Sequence, residues 1–87
     1  MIEQQIAIGH RMGLHARAAA KLVQLTRRYE SEITLHRNIS GNHREADARS
    51  IFALLLLAAG HGSIVAVRAT GNDEAEAVQC ICEYLKG

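Results

Sequence analysis

Ile2, Gln4, Ile6 and Ile8 share one parity, and Glu3, Gln5 and Ala7 the other. This period of two predicts a strand over residues 2–8 with one covered face. After a turn-like stretch, Gly9 to Gly13, the period changes to that of a helix: Ala19, Leu22, Val23 and Thr26 fall on one side of 16–28, and Arg17, Lys21 and Arg28 on the other. Ile33 and Leu35 alternate with Glu32 and Thr34 as a second strand. Asn38 to Asn42 holds a glycine suited to a hairpin turn, which leads into a polar third strand over 43–48. Ser50 stands before the apolar run 51–58, a short second helix that Gly60 and Gly62 stop, with Ser50 as its N-cap. Its buried stripe is expected to be Leu54, Leu57 and Ala58, leaving Ile51, Phe52 and Leu55 uncovered. Val65, Val67 and Ala69 form the inward side of a fourth strand, and Asp73-x-x-Glu76 reads as a capping box for a last helix with the stripe Ala77, Val78, Ile81, Cys82 and Leu85. The order β-α-β-β-α-β-α, with short connections, predicts an α+β fold in which helices cover one face of a mostly antiparallel sheet.

With 87 residues, 48% of them hydrophobic, the chain suits one compact domain, 1–87, whose core leaves little room for a deep pocket. No apolar run approaches the roughly 20 residues that cross a bilayer, and the N-terminus lacks the pattern of a signal peptide. Cys80 and Cys82 are too close in sequence for an ordinary disulfide, which points to a reducing, cytoplasmic setting. The net charge of +1 conceals a gradient: residues 1–29 set five cations against one acid, while residues 72–87 set four acids against one cation. Nucleic-acid binding would call for a larger basic excess and stacking aromatics, yet the aromatics are only Tyr29, Phe52 and Tyr84.

The candidate chemistry lies at the start of the first helix. His15 stands at the N-terminal edge, where unpaired N–H groups and the positive pole of the helix meet. That setting suits a ring with a free nitrogen lone pair and favours an anion once one is attached. A histidine there can accept and hold a phosphoryl group. The backbone N–H groups of Ala16 and Arg17 face the same place, and the Arg17 guanidinium supplies the charge stabilisation that phosphoryl transfer needs most. Lys21, one turn on, extends a basic face fit to meet an acidic partner.

Gly13-Leu14-His15-Ala16-Arg17, followed by Ala19 and later by Arg49-Ser50-Ile51-Phe52, resembles the histidine-containing phosphocarrier (HPr) family of the bacterial phosphotransferase system. The likeness extends over the whole chain, including the strand from Gly62 to Gly71 and the acidic opening of the last helix. It implies an open-faced sandwich, a four-stranded antiparallel sheet covered on one face by three helices. It further implies a monomeric carrier without a cofactor that receives a phosphoryl group on His15 from enzyme I, charged by phosphoenolpyruvate, and passes it to an enzyme IIA domain, with Arg17 assisting. Ile51, Phe52 and Leu55 match the family's partner-binding positions, and Ser50 matches a serine phosphorylated by a dedicated HPr kinase/phosphorylase. Two features depart from the family pattern. Ala18 replaces a proline, and the segment Arg37 to Arg49 is longer than in sugar-branch members and resembles the nitrogen-related branch. The alternative reading is a regulatory or adaptor protein on the same scaffold, acting by partner binding alone.

The remaining histidines, His10, His36, His43 and His61, share no helical i, i+4 spacing and are expected at the surface or in loops, without a metal. Two residues turn a helix by roughly 200°, so only one of the two cysteines can face inward: Cys82 in the core, Cys80 at the periphery.

Overall fold

A computed structural model describes residues 1–87. Its elements are β1 (Ile2–Ala7), α1 (Ala16–Thr26), β2 (Glu32–Ile39), β3 (Asn42–Asp47), α2 (Ile51–Leu56), β4 (Ile64–Thr70) and α3 (Glu74–Lys86). The expected order of elements holds throughout. The strands form one antiparallel sheet in the order β1-β4-β2-β3, with the late strand β4 inserted between β1 and β2.

Alternation along the strands sends Ile33, Leu35, Val65, Val67 and Ala69 into the core. There they meet Leu22 and Val23 of α1, Leu54 of α2, and Ala77, Val78, Ile81, Cys82 and Leu85 of α3 in one apolar cluster. The last helix buries the predicted stripe in full. Because all three helices lie on one face, the other face of the sheet carries polar side chains, among them Glu3, Thr34, His36, His43, Glu45 and Arg68. The β2–β3 hairpin closes through Ser40 and Gly41, both at positive φ (51° and 83°), the backbone of a two-residue turn whose twist matches that of the strands.

Several expectations are corrected. The first helix stops at Thr26, two residues early, where the Thr26 hydroxyl donates to the Val23 carbonyl at 2.7 Å and competes with the backbone ladder. The second helix stops at Leu56, not Ala58. Ala58 has φ 53° and is exposed, and Ala59 takes the buried place instead, because the chain reverses its twist one residue before the buried position. The Asp73–Glu76 capping box does not form. The Asp73 carboxylate accepts from the Ser31 hydroxyl, the Ser31 N–H (3.0 Å) and the Glu30 N–H (2.9 Å), tying the α1–β2 connection to the start of α3. Glu74 accepts from the Gly71 N–H at 3.2 Å in place of Glu76. Finally, His36 is no surface residue. It is only 6% exposed, and its Nδ1 lies 3.1 Å from Nε2 of His43, which sits diagonally across the hairpin.

Candidate functional site

His15 is the N-cap of α1, with extended backbone (φ −81°, ψ 179°) and a carbonyl that accepts the first helical hydrogen bond, from Ala19 at 2.8 Å. Its ring caps nothing, in contrast to Ser, Thr or Asp at this position, and is half-buried. The N–H groups of Ala16, Arg17 and Ala18 meet no backbone acceptor. They therefore remain at the helix end, beside the ring, as donors for an anion. Arg17 and Lys21 are exposed, and neither enters an ion pair. The helix has no acid in its first turn to compete for these donors.

The loop that presents His15 is held at both ends. On one side, the Leu14 N–H donates to the Ala59 carbonyl at 2.8 Å. Gly13, at φ 68°, fits against Ala59 and Gly60 so closely that a Cβ would come within 2.6 Å of the Ala59 oxygen. On the other side, the Gly9 N–H donates to the Leu85 carbonyl at 2.8 Å, and His10 Nε2 donates to the Tyr84 carbonyl at 2.6 Å with the two rings tilted against each other. A carbonyl only accepts, so Nε2 carries the His10 proton. Both ends of the loop are thus anchored by backbone groups, those of the segment just after α2 on one side and those of α3 on the other.

Beside the loop, α2 packs on α1 and β3 with Leu54 fully buried, followed by Leu57 just past the helix. Its outer side exposes Ile51 (42%), Phe52 (73%) and Leu55 (38%), as the stripe predicts. Leu56, on the same helix, and Met12, in the loop before His15, are exposed as well. Neither was expected, although Leu56 lies about 200° around the helix from buried Leu54 and the wheel places it outward. Ser50 is the N-cap of α2 and its hydroxyl accepts from the Ala53 N–H at 3.2 Å. The structure thus brings His15, Ala16 and Arg17 together at one helix end, with Lys21 further along α1 and the apolar face of α2 on the neighbouring helix. Cys82 is buried and its thiol pKa is raised by desolvation, whereas Cys80 is partly exposed, as expected.

No helix is long and apolar enough to cross a membrane. The family model for the phosphorylation site of the phosphotransferase-system HPr component matches residues 2–87. The phosphocarrier protein HPr of Xylella fastidiosa is 42% identical over 86 residues, which cover 99% of this chain and 92% of that protein. The phosphocarrier protein NPr of Proteus mirabilis is 41% identical over 78 residues, 90% of this chain and 83% of that protein. Among solved structures, HPr of Thermoanaerobacter tengcongensis superimposes with a TM-score of 0.85 at 31% identity, covering 99% of this chain and 92% of that one. On an α+β sandwich with this histidine-bearing helix end, a match along almost the whole length is decisive: the chain belongs to the HPr family of phosphotransferase-system phosphocarriers.

Proposed function

We propose that the chain acts as one monomeric cytoplasmic carrier domain, which takes a phosphoryl group onto His15 from phosphoenolpyruvate-charged enzyme I and hands it to an enzyme IIA domain. The observation that carries this reading is the helix end itself, where a nucleophilic ring stands beside three N–H groups without backbone acceptors and an unpaired Arg17. In the forward step a ring nitrogen attacks the phosphorus of the donor's phosphohistidine and the donor nitrogen leaves with the bonding pair. The group moves from one imidazole to another with no water consumed. The carrier has only to stabilise charge on the equatorial oxygens, a task for fixed N–H dipoles and a guanidinium. Arg17 serves the oxygens, and Ala16 and Arg17 N–H groups orient them.

Partner choice belongs to the surface around the histidine. Lys21 and Arg17 attract an acidic partner, while Ile51, Phe52 and Leu55 offer it an apolar anchor, the combination in which charge steers and a buried aromatic holds. Ser50, the N-cap of α2 at the start of that surface, is in this reading the residue through which a kinase would regulate docking. The test is incubation with enzyme I and phosphoenolpyruvate, followed by intact mass. One acid-labile phosphoryl per chain, discharged on adding an enzyme IIA domain, is expected. An unchanged mass with active enzyme I would leave binding alone as the function.

A further inference from the structure

We infer that Arg37 is a positioning residue for His15, acting through the left-handed turn at Ala58. The inference rests on the carrier reading for its consequence but not for its geometry. After α2 ends, Ala58 adopts φ 53°, a region that a residue with a Cβ enters only when its surroundings hold it there. What holds it is a pair of arginines from the β2–β3 hairpin. Arg37 sits at an inward position of β2, following the parity of Ile33 and Leu35. Its Nη1 donates to the Leu57 carbonyl at 3.1 Å and to the Ala58 carbonyl at 2.6 Å. Arg44 Nη1 reaches the Leu56 carbonyl at 3.3 Å. Three successive carbonyls at the negative end of α2 thus receive guanidinium groups, although the last turn of the helix has no basic residue of its own.

The turn has a purpose beyond ending the helix. By reversing the chain at Ala58 it aims the next carbonyl, that of Ala59, at the Leu14 N–H, 2.8 Å away. It also creates the surface into which only a glycine at position 13 fits. Leu14 is bonded covalently to His15, whose own N–H donates to the Gly13 carbonyl at 3.0 Å. From Arg37 to His15 every link is a hydrogen bond to a main-chain group or a peptide bond: Arg37 to Ala58, Ala58 to Ala59, Ala59 to Leu14, Leu14 to His15. A phosphoryl acceptor must stand within fractions of an ångström of its productive position, so loosening this path costs rate.

The experiment compares the wild-type chain, Arg37→Met, Ala58→Gly and the double variant. Two quantities are read: the rate of phosphoryl acceptance from enzyme I and amide hydrogen exchange at Leu14. Arg37→Met keeps the aliphatic stem and removes the donors. It is expected to slow acceptance about fivefold or more and to speed exchange at Leu14, while amides of the β1–β4 ladder keep their protection. Glycine takes the left-handed conformation without strain, so Ala58→Gly added to Arg37→Met should restore both readouts, and alone should change neither. A simple helix-capping role for Arg37 predicts loss of overall stability with no such rescue. Unaltered acceptance and exchange in Arg37→Met, or slow acceptance that Ala58→Gly fails to restore, overturns the inference. If Arg37→Met does not fold, Arg37→Gln, which stays polar but is too short to reach the Leu57 and Ala58 carbonyls, takes its place with the same expectations. A wild-type chain that accepts nothing refutes the carrier reading instead, and Leu14 exchange with its rescue still decides the positioning.

Discussion

The Tyr84 hydroxyl donates to the Ala18 carbonyl at 3.3 Å, so the last turn of α3 supports the first turn of α1 next to His15. Ala18 is itself 2% exposed and contributes a carbonyl, but its N–H meets no backbone acceptor. Proline in its place keeps that carbonyl, gives up a donor that no group of the chain uses, leaving the Ala16 and Arg17 N–H groups for an anion, and fixes a φ that the first helical turn already has. Ala18→Pro is therefore expected to stabilise the protein by about 0.4 to 1 kcal/mol, through the unfolded chain, and to raise Tm by a few degrees in thermal unfolding. A lower Tm would mean that the buried site has no room for the ring.

Removing the His15 imidazole should separate the proposed chemistry from folding. The His15 ring makes no hydrogen bond within the chain and is half-buried, and the first helical hydrogen bond is accepted by the His15 carbonyl, which any residue supplies. His15→Ala should change stability by less than about 1 kcal/mol and abolish phosphoryl acceptance, as read by intact mass. Arg17→Ala should retain acceptance at a rate lower by about tenfold or more, since one charge-assisted contact to the oxygens is lost while the N–H groups remain. Phosphorylation persisting in His15→Ala would move the site elsewhere.

Phe52 tests the partner surface. It is 73% exposed on a helix whose buried side is filled by Leu54, so Phe52→Glu should shift stability by less than about 1 kcal/mol. An acid there opposes an acidic partner and removes the aromatic anchor, and the rate of transfer from enzyme I at low concentration should fall steeply while the rate at saturation falls less. Global unfolding of the variant would show that the ring supports the core.

The sequence was informative where one periodicity governs a whole element. The parities of β1, β2 and β4 and the full stripe of α3 could be read because they rest on burial against a single face, whereas β3, with only Ala46 buried, showed none. Legibility ended where a side chain answers to a distant backbone. Asp73 has the form of a cap, but the α1–β2 connection brings Ser31 and Glu30 to its carboxylate across more than forty residues, and local spacing holds no trace of this. The His36–His43 pair was within reach by a different route. A search for helical spacing passes over it, whereas counting back from a two-residue turn at Ser40-Gly41 pairs Asn38 with His43 and places His36 diagonally opposite. At the candidate site, the neighbourhood of His15 and Arg17 was readable because they belong to one helix start; that of Arg37 was not, because its parity marks it as inward without saying which carbonyls it would meet.

That histidine pair sets a pH dependence. Burial holds the His36 pKa below its ordinary value, with Arg68 on β4 and His43 on β3 adding to the effect and Glu45 and Glu3 opposing it. A depressed histidine leaves the unfolded chain binding more protons, so stability falls as pH drops below about 6.5, the value reached in the unfolded state. Asp73 is depressed by its hydrogen bonds from Ser31 and Glu30, and its contribution is present above the ordinary carboxylate value of 3.8 and lost only below it. Two windows result. Urea unfolding followed from pH 7 to 5 should show declining stability in the wild type and a flatter profile in His36→Gln, whereas Asp73→Asn should keep the slope between pH 7 and 5 while lowering stability throughout. An identical slope in His36→Gln would assign the decline to other groups.

Ser50 poses the question of regulation. Its hydroxyl caps α2 at 3.2 Å, and it stands immediately before Ile51 and Phe52, where the apolar surface begins. A negative charge at that point has opposite effects on folding and on docking. The N-terminus of α2 has no acid in its first turn, so a carboxylate or phosphate there accepts from the same N–H groups and is favoured by the dipole. An acidic partner drawn to Arg17 and Lys21, however, would meet a like charge at the edge of its contact, partly desolvated on binding. Ser50→Asp should accordingly keep Tm within a few degrees of wild type, and Ser50→Ala should cost about 1 kcal/mol through loss of the cap. Transfer from enzyme I should slow in Ser50→Asp and remain near wild type in Ser50→Ala, because only the former adds charge. The slowing should lessen at high salt, which screens the repulsion at the rim. Equal transfer rates for the two variants would leave Ser50 with capping as its whole role.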